Sequence, residues 1–198
     1  DKEITLAIEN EYIMSPKDLC TLPFLDKVLD AGVKILKIEG RGRSPEYTKV
    51  TVGVYSEAVK AIQNGEFTEE KIAQWTERLR SVYNRDFWDG YYLGRKMGEW
   101  TQRYGSQATK TKIFVGTVTN FFAKINVAEI RMETQDLKVG DDIMIIGPTT
   151  GVYEDKVSEI RVDLKPVEST EKGELCSIPV KDVIRRGDKV YKVIDAEI

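Results

Sequence analysis

Apolar positions recur at helical spacing along the first half of the chain and alternate along the second. In the first half, Tyr47, Val50, Val54, Ala58 and Ile62 define a long helix that Ser44-Pro45 opens and Asn64-Gly65 stops. Thr68 is placed to cap a second helix, whose stripe is Ile72, Trp75, Leu79 and Val82. Thr21 and Pro23 open a shorter one with Phe24, Leu25, Val28 and Leu29 on one face, and Gly32 ends it. Ser15-Pro16-Lys17-Asp18 reads as a further helix start: serine as cap, proline in the first turn, aspartate near the free amides. Strands are expected at Ile4–Ile8 and Val33–Ile38. This β-α-β-α order favours a parallel sheet. Two strands cannot bury both faces of one, so residues 1–105 read as the end of a larger α/β unit.

From Lys112 the period changes to two. Ile113, Val115 and Thr117 alternate with Lys112, Phe114 and Gly116, and the same holds around Ile125, Val127 and Glu129. Further strands are expected at 142–146, 152–162, 173–180 and 188–194, separated by Gly140-Asp141, Gly147-Pro148, Thr150-Gly151, Lys172-Gly173 and Gly187-Asp188. Short strands so punctuated predict a small closed or nearly closed barrel over residues 111–198. The polar stretch Tyr104–Lys110 is the expected boundary.

Composition narrows the chemistry. The chain has 198 residues and no histidine, so it cannot by itself assemble a Ser-His-Asp or Cys-His arrangement, nor the common histidine-bearing zinc sites. A net charge of -3 gives no global attraction to nucleic acid or acidic membranes. No apolar run approaches a membrane span. Two distant cysteines make no disulfide framework, which favours a reducing, cytoplasmic home. The chain opens Asp-Lys-Glu, with neither an initiating methionine nor a signal-peptide pattern, and reads as a fragment.

The candidate site is the turn from Leu36 to Tyr47. Glu39, Gly40, Arg41, Gly42 and Arg43 follow the expected strand, at the rim where α/β sheets and barrels bind ligands. Glu39 could act on or position a substrate whose anionic groups meet Arg41 and Arg43; it could equally close the turn as an internal ion pair. Lys37 shares a strand face with Glu39 and pairs with it most simply. Cys20 reads as a small buried residue or as an iron–sulfur thiolate whose other ligands lie upstream. Cys176 reads as core. Phe87, Trp88, Tyr91 and Tyr92, beside Arg85, could stack bases and grip phosphates, or cover the open end of the α/β unit.

The segments SPKDLC, LPFLDKVLDAGVKILKIEGRGRSPEYTKV and YNRDFWDGYYLG together resemble the C-terminal half of peptidase family U-32, the collagenase-like proteases. The second half resembles the β-barrel appended to longer members. Its VGDDIMIIGPTTG and VIRRGDKVYKV stretches are also similar to the second-domain barrel of translation elongation factors. The resemblance implies the C-terminal segments of a TIM-like (β/α) barrel, joined to a small translation-factor-like β-barrel. It implies peptide hydrolysis by residues not yet identified, on a peptide or protein substrate. Alternatively it implies oxygen-independent hydroxylation of transfer or ribosomal RNA, with an iron–sulfur cluster in the full-length protein, structured RNA as partner and the β-barrel as an RNA- or protein-docking module. By motif, Cys20 matches the family's DLC cysteine, a cluster ligand in that second case; Glu39, Gly40 and Arg41 match its KIEGR core. The family's cysteine-rich signature lies upstream, so an upstream barrel domain of the same protein is an implied partner.

Overall fold

The computed structural model describes residues 15–94, 99–101 and 103–197. The chain separates into two compact units, with the division between Thr109 and Lys110. The first mixes helices with one short parallel ladder, and the second is an antiparallel sheet.

In the first unit, β1 (Asp18–Leu19) runs parallel to β2 (Phe87–Trp88), with Asp18 opposite Phe87 and Leu19 opposite Trp88. A 3-10 turn, Leu22–Phe24, leads into α1 (Leu25–Asp30), which ends before Gly32 at φ 90°. α2 (Pro45–Gln63) and α3 (Glu69–Arg80) follow the expected stripes closely. Thr68 Oγ1 accepts the Lys71 N–H at 3.4 Å, the cap its position predicts. Leu22, Leu25, Val54, Ala58, Ile72, Trp75 and Leu79 meet in one core, each large side chain worth about 2 kcal/mol on burial. Glu57 links α2 to α3, accepting from Trp75 Nε1 at 3.0 Å and from both terminal nitrogens of Arg78. The Arg78 guanidinium holds the Glu57 carboxyl below its ordinary range.

Two expectations for this unit are overturned. Ser15–Asp18 does not begin a helix. Pro16 bridges to Trp100, and the Lys17 and Asp18 amides donate to Glu99 and Asp86 carbonyls, so the backbone is extended. The Asp18 carboxylate binds arginine side chains instead of capping amides. Residues 33–38 form no ladder, because among the described residues no strand lies beside them. An apolar run without a neighbour to receive its N–H and C=O groups is an extended segment only. The strand expected at Ile4–Ile8 lies outside the described residues. The segment NRDFWDGYYLG contains β2.

The second unit contains β3 (Lys110–Phe122), β4 (Val127–Met132), β5 (Asp142–Gly147), β6 (Gly151–Lys156), β7 (Ile160–Val162), β8 (Lys165–Val167), β9 (Leu175–Pro179) and β10 (Lys189–Asp195). They form one sheet in the order β6-β5-β10-β3-β4-β9-β7-β8. Val115, Val118, Ile130, Met132, Ile145, Ile160, Ile178 and Val190 share its core, each no more than 1% exposed. The single strand expected at 152–162 divides into β6 and β7, and β8 was not expected. Asp163 and Leu164 join β7 to β8 at φ 49° and 66°, a primed turn built without glycine. Gly147 is required where it stands, since a Cβ there would lie 1.8 Å from Asp188 Oδ1. Asp188 is 3% exposed and accepts from the Arg185 N–H and the Thr150 hydroxyl. The ladders define one large antiparallel sheet, whose end strands β6 and β8 are not paired to each other. The coarse class, α/β followed by all-β, is the one the alternation predicts; no β/α barrel wall is formed among the described residues.

Candidate functional site

Three segments remote in sequence converge on Asp18. The carboxylate accepts the Arg85 N–H at 2.9 Å and Arg85 Nη2 at 3.1 Å, and Arg43 Nη2 reaches the same Oδ1 at 3.3 Å. β1 supplies the aspartate, the turn before α2 supplies Arg43, and the turn after α3 supplies Arg85. Arg43 Cζ lies 4.0 Å from the Tyr83 ring centroid and 5.5 Å from that of Tyr47, so the guanidinium sits over two aromatic rings. Beside this triad, Lys17 bonds Glu99 at 2.9 Å and Asp86 at 3.1 Å, which raises its pKa, the Glu99 hydrogen bond most. Burial works against ionisation of Asp86, yet the Phe87 N–H and the Lys17 ammonium carry its carboxyl below its ordinary range.

A cavity of about 40 Å³ adjoins the triad, walled by Asp18, Cys20, Tyr47, Thr51, Tyr55 and Tyr83 among others. Tyr47, Thr51 and Tyr55 stand four residues apart on one face of α2, a stripe of hydroxyls beside the apolar one. The Tyr55 O–H is directed at Cys20 Sγ, 3.8 Å away, and its oxygen accepts the Thr21 N–H at 3.1 Å. Burial pushes both the Tyr55 hydroxyl and the Cys20 thiol up from their ordinary values. Thr51 is 7% exposed, and its hydroxyl has no hydrogen-bond partner among the described residues.

Of the residues singled out from sequence, Arg43 and Arg85 are brought together, and Cys20 lies on the adjoining cavity. Glu39 and Arg41 are exposed, and Glu39 Oε1 accepts the Arg41 N–H at 2.6 Å, which shapes the turn. Lys37 is exposed, in the segment that forms no ladder. Cys176 is core, its thiol pushed up to about 12 chiefly by burial. Asp18, Tyr47, Thr51, Tyr55 and Tyr83 were not picked out as site residues. The hydroxyls at 47, 51 and 55 were the available signal for three of them. Nothing local marks Asp18, whose arginines lie 25 and 67 positions away.

Next to β1 and β2, Leu19, Trp88, Gly90, Tyr91 and Tyr92 line an apolar groove of about 380 Å³. Leu19, Tyr91 and Tyr92 are each more than half exposed. Among the described residues no cluster of three or more His, Cys, Asp and Glu forms a metal site, and no helix is long and apolar enough to cross a membrane.

The family model for peptidase family U32 matches residues 1–102. The chain belongs to peptidase family U32. It is 53% identical over 192 residues to a Porphyromonas gingivalis protein named collagenase, covering 97% of this chain and 46% of that one. It is 32% identical over 140 residues to the tRNA hydroxylation protein P1 of Bacillus subtilis, covering 69% of this chain and 32% of that one. The structure of the C-terminal domain of a Geobacillus thermoleovorans U32 peptidase is similar over 40% of this chain and 90% of that domain, at 15% identity and a TM-score of 0.38. The chain thus spans about half the length of the collagenase relative, and less of the tRNA hydroxylation protein.

Proposed function

We propose that this chain is the C-terminal part of a U32 protein that hydrolyses peptide bonds in denatured or extended protein. The observation that carries the reading is the 53% identity, sustained over nearly the whole chain, to the Porphyromonas gingivalis collagenase. Arg43 and Arg85 are the candidates for holding substrate, with Lys37 beside the turn. Glu39 and Arg41 are the candidates for catalysis in the family's motif. The chain alone is proposed to be inactive, the remaining catalytic groups belonging to the upstream barrel domain. The protein is proposed to work in the cytoplasm, in keeping with two unpaired thiols, both buried. The test uses the full-length parent protein on heat-denatured collagen and casein. Cleavage that falls with Glu39→Gln is expected; intact substrate after prolonged incubation rejects the reading.

The finer fold belongs to the same proposal. A parallel ladder two residues long is not stable alone, since parallel sheets are covered on both faces. The short ladder, the unladdered segment 33–38 and the apolar groove beside Trp88 support a β/α barrel completed by other strands of the same protein. The alternation and glycine turns of residues 110–197 support a translation-factor-like barrel.

A second reading, cluster-dependent hydroxylation of transfer or ribosomal RNA, is favoured by the similarity to the tRNA hydroxylation protein and by Cys20. Its thiol fits as a single ligand: Sγ faces a cavity and has one O–H directed at it. The described residues supply no other thiolate near it, so they do not make a complete cluster site. Anaerobic purification of the parent is expected to give a brown protein whose cluster absorbance Cys20→Ala weakens. A colourless, iron-free preparation removes this reading.

A further inference from the structure

Residues 39–43, which carry the family motif, form a tight turn. The Arg43 N–H donates to the Gly40 carbonyl at 3.0 Å, and Gly42, third of those four residues, has a φ of 70°. Glu39 Oε1 accepts the Arg41 N–H at 2.6 Å, so both side chains follow the placing of the turn. Among the described residues, segment 33–38 ahead of it makes no ladder, so strand pairing does not place Glu39 from that side. The hold comes from the other end. Arg43 Nη2 donates to Asp18 Oδ1 at 3.3 Å, and Arg85 Nη2 donates to the same oxygen at 3.1 Å. The three side chains are 20%, 32% and 21% exposed for Arg43, Arg85 and Asp18. Two guanidiniums so close and half-buried repel one another unless a negative charge lies between them. Asp18 stands opposite Phe87 in the β1–β2 ladder and accepts the Arg85 N–H at 2.9 Å, so the group that holds Arg43 is itself set by the strands.

We infer that Asp18 is a positioning residue, which through Arg43 sets the 39–43 turn, and with it Glu39 and Arg41, against the β1–β2 ladder. What Glu39 and Arg41 do there is taken from the peptide-hydrolysis reading, on which this assignment rests. Asp18 itself touches no substrate in this role. Asp18→Asn keeps an oxygen acceptor and the size of the side chain but removes the charge. Two like charges then face each other, Arg43 moves off, and the turn loses its tie to the strands. Glu57→Gln is the matching change elsewhere in the unit. It weakens the carboxylate contact with Arg78 that links α2 to α3, and that contact does not involve the turn.

The experiment has two arms. In the 198-residue chain, amide exchange is followed by NMR. Asp18→Asn is expected to speed exchange of the Arg41 and Arg43 amides at least about tenfold, and to leave the Lys71 amide, held by the Thr68 cap, unchanged. Glu57→Gln is expected to leave the Arg41 and Arg43 amides as they are. In the full-length parent protein on heat-denatured collagen, Asp18→Asn is expected to lower kcat about tenfold or more, whatever happens to KM. Arg43→Gln is expected to do the same, the double variant no worse than either, and Arg43→Lys to recover part of the loss. Glu57→Gln is expected to leave kcat unchanged, which separates positioning from a general loss of stability. Unchanged exchange at Arg43, a change confined to KM, additive losses in the double variant, or an equal loss of kcat in Glu57→Gln each overturns the inference. A parent protein that cleaves nothing rejects the hydrolysis reading, and the exchange arm still decides whether Asp18 holds the turn. Cleavage by the parent with an Asp18→Asn variant as active as wild type rejects the inference alone.

Discussion

In the second unit every strand between the two ends of the sheet has a neighbour on both sides, and the buried side chains meet in a single core. In the first, the described ladder is two residues per strand, and the apolar residues beside it, Leu19, Tyr91 and Tyr92, face solvent. The exposed apolar residues of the second unit, such as Ile125 and Leu164, sit singly at turns. Single exposed residues are ordinary, whereas a contiguous exposed patch marks a surface that is meant to be covered. The unsatisfied groups follow the same division. The Thr51 hydroxyl, buried and without a hydrogen-bond partner among the described residues, is in the helical unit, while the buried Asp188 of the sheet accepts from the Arg185 N–H and the Thr150 hydroxyl. The sheet unit buries its side chains in one core, and the helical unit holds the Asp18 ion triad beside an exposed apolar edge.

The largest effect that can break this contrast is in the sheet core. Ile130→Ala removes a fully buried side chain where strands meet, and a loss of about 3 kcal/mol is expected in denaturant melts of the second unit. A loss under about 1 kcal/mol would mean that this core is not tightly packed. Gly147→Ala should cost about 2 kcal/mol, because Asp188 must move and the Arg185 and Thr150 contacts move with it. Neither change should shift the melting of the first unit.

For the helical unit the matching test is Asp18→Asn, which leaves two arginines without their shared carboxylate. About 2 kcal/mol is expected, below the figure for a fully buried pair because a fifth of the side chain is exposed. The smallest effect is a pH dependence in the sheet. Tyr153 donates to Asp155 and accepts the Lys181 N–H, and burial with the Asp155 contact pushes its hydroxyl from 10.0 to about 12. A folded value above the unfolded one means that the contribution is complete below pH 10 and disappears as pH rises through about 12. Tyr153→Phe should remove that alkaline loss, read as melting temperature against pH.

The helices and most of the sheet were legible in the sequence because both are periodic over many residues. α2 and α3 carry stripes several turns long with a capping threonine or a stop at Asn64-Gly65. β1 and β2 were not legible, since two residues have no period and what holds Asp18 is an ion network assembled across 67 positions. Segment 33–38 shows the converse failure: its apolar run has the composition of a strand, but ladder formation depends on a neighbour that the run itself does not encode. The Asp163-Leu164 turn was missed because neither residue announces positive φ as glycine does. Arg43 was singled out for its charge next to a strand end. Its partners are what tie it to the site, and they are set by the tertiary fold.

Residue-resolved hydrogen exchange under native conditions bears most directly on the claim that the sheet is self-sufficient and the β1–β2 ladder is not. In this chain the Val118, Ile130 and Val190 amides should exchange only through global opening of their unit, and the Cys20 amide, donated to Trp88, through cheap local opening. Protection of Cys20 equal to that of Ile130 would contradict the account.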